Sequence, residues 1–183
     1  FMALDQKTLN KVIILKLASL LPGLRHAMLS DAVLDSLQMN FFEYSLALSE
    51  LIEGKLLYKA VRKGEPHLDA DQQAVERIDV TQRGAEVLQA LENQIPESVN
   101  KWISRKAVEL KGEQLLLETY SSRMEQTGTG EWLLILERYE TDTPNFTIRL
   151  TFPTKEMAKK AASSWEAASI ELYELIISRL LSD

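Results

Sequence analysis

The sequence predicts an α+β fold in two parts, a helical part with one hairpin and then a small antiparallel sheet packed on a long C-terminal helix. Three observations predict it. Apolar residues recur at helical spacing from Leu9 to Leu21 and again from Phe41 to Ile52. The period then changes to two short β-type runs at 56–62 and 77–81. After Pro96 come a helical stretch, three alternating runs and a final helix of roughly 28 residues, or about 42 Å.

Each element has a local reason. Asp5 is placed to cap the first helix, which carries Leu9, Val12, Ile13, Leu17, Leu20 and Leu21 and ends at Pro22-Gly23. Ser30 reads as the cap of a short second helix with Val33, Leu34 and Leu37. A third helix over 40–53 stops at Gly54, the residue type that best tolerates a left-handed C′ position. Phe41, Tyr44, Leu48, Leu51 and Ile52 gather on its core face, with Glu43, Leu46, Ala47, Glu50 and Glu53 opposite. Runs 56–62 and 77–81 pair as a hairpin, and the polar stretch between them reads as a long exposed tip. Thr81 caps a fourth helix through Ala85, Val87, Leu88 and Leu91. Three helices, a hairpin and a closing helix are the parts of a winged helix-turn-helix domain, here residues 1–95.

Residues 96–183 form the second predicted domain, an α+β unit for dimerisation or sensing. Pro96 suits the start of a helix over 97–110. Strands are expected at 113–123, 131–140 and 145–152. In the last, Phe146, Ile148, Leu150 and Phe152 share one face. Thr154 caps the final helix, whose apolar stripe runs through Ala158, Ala161, Trp165, Ala168, Leu172, Ile176 and Leu180. Ile170, Tyr173, Ile177 and Leu181 lie beside it. Three strands are too few to cover so long a stripe, which points to a second copy of the chain as partner.

Composition excludes several function classes. The 183 residues contain no cysteine, so disulfides, thiolate metal sites and thiol catalysis are ruled out. The apolar stretch 12–24 is too short to span a bilayer and holds Lys16, so no membrane is expected and the compartment is cytoplasmic by default. Phe1 precedes Met2, which reads as the native start. Seven glycines include no phosphate-cradling loop, and two isolated histidines offer no base beside a nucleophile. No enzyme activity and no cofactor are expected. His67, Asp69 and Asp71 alternate in the hairpin tip, but three such groups make a weak metal signal, and none is assigned. His26 reads as a surface loop residue. Glu137 and Glu140 read as solvated strand-end charges rather than an acid/base couple. Trp102, Trp132 and Trp165 read as core and dimer contact ahead of a ligand pocket.

The runs Leu48-Ser49-Glu50-Leu51-Ile52-Glu53-Gly54-Lys55-Leu56, Ile78-Asp79-Val80-Thr81-Gln82-Arg83-Gly84 and Ile95-Pro96-Glu97-Ser98 resemble a bacterial winged-helix family. It is catalogued as domain of unknown function 4364 and is distantly similar to PadR-type regulators. Ala158-Lys159-Lys160, Trp165 and Ile170-Glu171-Leu172-Tyr173 resemble the same family's last helix. The resemblance implies a transcriptional regulator that binds DNA as a homodimer. By that analogy residues 40–47 open the recognition helix, and Lys59, Arg62 and Lys63 belong to the wing. The tip over 64–76 is longer and more acidic than the resemblance implies.

Charge tests the DNA reading. The net charge is −6, and DNA affinity comes mainly from Lys and Arg neutralising phosphates. Between Ser30 and Gly54 there are five acids (Asp31, Asp35, Glu43, Glu50 and Glu53) and no Lys or Arg. From Lys55 to Asp79 five bases meet five acids. On the DNA reading Asn40 contacts a base while Lys59, Arg62, Lys63 and Arg25 hold phosphates. On the alternative, the module binds another protein, for which exposed Phe42 and Leu46 are better suited.

Overall fold

A computed structural model of the chain describes residues 4–36, 38–69 and 71–182. Among these residues it is a mixed α+β structure with six α-helices and two three-stranded antiparallel sheets. The chain divides into two compact units. One takes in the chain up to Glu65 together with Val75–Gln114; the other takes in Pro66–Ala74 and the chain from Leu115 onward. The division therefore falls inside a helix rather than near Ile95. Ile95, Ile103, Ala107 and Leu110 are all buried in the core of the first unit.

That core is built around α1 (Gln6–Leu20), where Val12, Ile13, Ile14, Leu15 and Leu17 are buried almost completely. Asp5 caps it as expected, its carboxylate accepting the Thr8 backbone N–H at 3.0 Å. Gly23 turns the chain at φ +69 into a two-residue strand, β1 (Leu24–Arg25), followed at once by α2 (His26–Asp35). Two expectations change here. Ser30 lies within α2 and does not cap it, and His26 opens a helix instead of sitting in a loop. Pairing of β1 with the later strand β3 (Leu24 opposite Ile78) fixes where the helix begins. Leu37 lies outside the described residues.

Helix α3 (Phe41–Glu53) is closed at its start by a capping box. Asn40 Oδ1 accepts the Glu43 N–H, and Glu43 Oε2 accepts the Asn40 N–H. Its end differs from expectation. Gly54 keeps an ordinary φ of −72, and Lys55 takes the left-handed position at φ 57. Leu56 N–H reaches Leu51 O at 2.9 Å and Lys55 N–H reaches Ile52 O at 3.0 Å, the double bond pattern of a Schellman close. Strands β2 (Leu57–Val61) and β3 (Glu76–Val80) pair antiparallel, and the sheet order is β1-β3-β2. Thr81 then caps α4 (Gln82–Leu91), with Gly84 N–H donating to Thr81 Oγ1 at 3.0 Å. A 3₁₀ turn over Glu92–Gln94 leads to α5 (Glu97–Thr119).

Helix α5 runs nine residues past the expected end. Residues 113–119 are Glu, Gln, Leu, Leu, Leu, Glu and Thr, mostly strong helix formers, and they continue the helix instead of opening a strand. The second sheet follows as β4 (Tyr120–Gln126), β5 (Trp132–Tyr139) and β6 (Pro144–Phe152), in that order. Leu134, Leu136, Ala162 and Trp165 make its core, with Phe146, Ile148 and Phe152 packed against them. Leu150, expected on the same face, stays exposed. Helix α6 (Lys155–Leu181) is capped by Thr154 and breaks at Ala168, where φ is −138 and ψ 30. Ala158, Ala162, Trp165 and Ser169 are buried, while Ile170, Leu175, Leu180 and Leu181 remain exposed.

The connection between β2 and β3 is not a free tip. His67 is buried, with Nε2 3.1 Å from a carboxylate oxygen of Glu118. Met124 N–H donates to Gln72 Oε1 at 2.8 Å. Asp69 folds the segment on itself by accepting the N–H groups of Asp71 and Gln73, each at 2.9 Å.

Candidate functional site

The outward face of α3 is the most distinctive surface of the first unit. Tyr44, Ala47, Leu48 and Leu51 turn inward. Ala47 therefore belongs to the core side, whereas Phe41, expected there, stands at the first turn beyond the core's reach and is 61% exposed. Phe42 is 81% exposed and Leu46 50%. The rings of Phe41 and Phe42 meet edge to face at 5.9 Å. Phe42, Leu46, Ser49 and Glu53 follow one another at helical spacing, and Ser49 Oγ donates to Glu53 at 2.9 Å.

A groove of about 220 Å³ lies beside this stripe, lined by Gln6, Lys7 and Asn10 of α1 and by Glu43, Leu46 and Ala47 of α3. Asn10 is buried and its Oδ1 accepts from Gln6 Nε2 at 2.7 Å. Glu50 ties the two helices together, 3.1 Å from Lys7 Nζ and 2.8 Å from Lys11 Nζ. Hydrogen bonds from Lys11 and then Lys7 hold the Glu50 carboxyl below its ordinary pKa.

The cations expected to grip phosphate are distributed along the three-stranded sheet, and acids of β3 take two of them. Lys59 Nζ is 3.3 Å from Glu76, and Arg62 is 3.3 Å from Asp79. Asp79 also accepts the Gly23 N–H at 2.6 Å. The Arg62 guanidinium lies over Gly23, within 3 Å of where a Cβ would stand. Arg25 is half-buried on β1 and engaged in interactions of its own. Lys63 is exposed and has no ion pair among the described residues. Asn40 spends its side-chain oxygen on the α3 cap. His26 sits 3.6 Å from Glu76. Burial, reinforced by Lys59, lowers its pKa against the pull of Glu76.

The Glu50 clamp and the Arg62–Asp79–Gly23 knot were not anticipated from sequence. The spacing of Lys7 and Lys11 on one helical face was the available signal for the first. The second joins residues far apart in the chain, and no local pattern announces it.

The other residues considered from sequence are dispersed. Among the described residues no group of three potential ligands could hold a metal ion. Trp102 packs on the first core. Trp165 stacks on Phe146 at 6.2 Å in the second core, and Trp132 faces Lys155 Nζ at 5.0 Å. No helix among the described residues is long and apolar enough to cross a membrane.

The sequence matches the family model described as Domain of unknown function (DUF4364) over residues 10–180. The chain belongs to this family. The DUF4364 match spans both compact units, so helix α6 is as much a part of the family's extent as α3. No curated protein and no solved structure matches the chain.

Proposed function

We propose that the chain is a winged-helix protein of the regulator type, without enzyme activity, working as a homodimer and docking another protein through α3. The order α1-β1-α2-α3-β2-β3-α4, with β1 completing a hairpin sheet, supports the winged-helix assignment and the distant PadR similarity. Helix α6 supports the homodimer, because its second half leaves Ile170, Leu175, Leu180 and Leu181 uncovered. The single observation that carries the docking role is α3 itself. It exposes two phenylalanines and a leucine and has no Lys or Arg between Ser30 and Gly54. Such a face gains by covering apolar area and is repelled by a polyanion.

A second reading keeps DNA as the target and has one observation in its favour: Lys63 stands exposed at the end of the β2 run. Asn40 would then meet a base, and Lys59, Arg62, Lys63 and Arg25 would exchange their present partners for phosphates. Titration of the full chain with non-specific duplex separates the two. At about 50 mM salt a phosphate-driven binder shows affinity that falls steeply as salt rises. We expect no such binding. Salt-sensitive binding lost in Arg62→Ala/Lys63→Ala would replace the docking reading with the DNA reading.

A further inference from the structure

We infer that the partner seated on α3 is a basic amphipathic segment, with apolar anchors over Phe42 and Leu46 and a Lys or Arg beside Glu53. This rests on the protein-docking reading above and adds the partner's chemistry. The apolar half of the stripe is its N-terminal half, Phe42 and Leu46, bordered by the α1–α3 groove. The C-terminal half ends in Glu53, exposed and, among the described residues, hydrogen-bonded only to the small hydroxyl of Ser49. The helix dipole places partial negative charge at this same end, and no basic residue occupies the last turn of α3. Lys7 and Lys11, the nearby cations of α1, are held by Glu50. Seven residues separate Leu46 from Glu53, so the partner's cation lies roughly 10 Å from its apolar anchor, two turns along a helix. Buried Asn10 and exposed Gln6, hydrogen-bonded to each other, add polar groups to the groove wall for the segment's backbone or a polar side chain.

The test uses the full chain and two synthetic helical peptides with the same Leu pair at i and i+4. One carries Arg two turns beyond the pair, the other Glu. We expect the Arg peptide to bind about tenfold more tightly, an advantage that salt erodes. Glu53→Lys should reverse the preference, and Phe42→Ser should abolish binding of both while the circular dichroism and the solution mass stay unchanged. Equal binding of the two peptides, lost in Phe42→Ser, keeps the docking role and overturns the basic partner. Binding of neither overturns both. Competition by duplex DNA, or loss of the dimer in Phe42→Ser, assigns the face to DNA or to a second copy and overturns the inference.

Discussion

Lys55 shows how a single residue settles a boundary that the sequence places elsewhere. Gly54 invites the left-handed position at the end of α3, yet Lys55 takes it at φ 57, because Leu56 must turn inward and its N–H must reach Leu51 O. A side chain in that conformation costs roughly 1 kcal/mol. Lys55→Gly should therefore raise the unfolding free energy by about 0.5–1 kcal/mol, partly offset by the freer unfolded chain; a urea titration with unchanged or lower stability refutes this. Arg77 and Glu65 make the opposite case. Their side chains are 4% and 2% exposed and meet at 2.6 and 2.9 Å, while Arg77 also donates to Gly23 O. Removing one member strands the other in the interior. Glu65→Gln should lose about 3 kcal/mol, read as a lower midpoint at unchanged slope.

At the level of elements, α4 approaches β2 so closely that only glycine fits at position 84. A Cβ there would stand 2.1 Å from Leu56 O, and Thr81 N–H donates to the same carbonyl at 3.0 Å. Gly84→Ala should cost about 3 kcal/mol by forcing the helix off the strand, and a thermal midpoint equal to that of the parent would contradict it. The seam between α2 and β3 is pH-sensitive through His26. Its pKa is lowered in the fold, so its contribution is complete above the ordinary histidine value and is lost as the pH falls through the lowered one. Subtracting the His26→Gln stability curve from the parent's should leave a difference that declines from pH 7 toward pH 5. A flat difference excludes that role.

At the level of the whole molecule, α6 makes the clearest demand. Light scattering should give twice the chain mass at micromolar concentration, and Ile170→Glu/Leu180→Glu should give the single-chain mass; a monomeric parent removes the homodimer. Legibility also divides at this scale. The caps at Asp5, Thr81 and Thr154 follow local rules, and residues 5, 81 and 154 state them directly. Strand β1 was hidden because two residues carry no period and only Ile78, far along the chain, calls them into a sheet. The end of α5 was misplaced because Leu115, Leu116 and Leu117 satisfy helix and strand alike. Of the candidate surface, Phe42 and Leu46 were visible in the sequence. The pairing of Lys59 and Arg62 with acids of β3 was not, since it depends on register.

The chain crosses between its two compact units three times, after Glu65, after Ala74 and after Gln114. A single protease cut after Gln114 therefore releases the first unit only with Pro66–Ala74 still attached, and no single cut releases the second unit whole. On the ribosome, Pro66–Ala74 emerges long before β4 and α5's last turn, where Met124 and Glu118 take up Gln72 and His67. His67 and Gln72 must wait for these partners until the chain has been synthesised past residue 124.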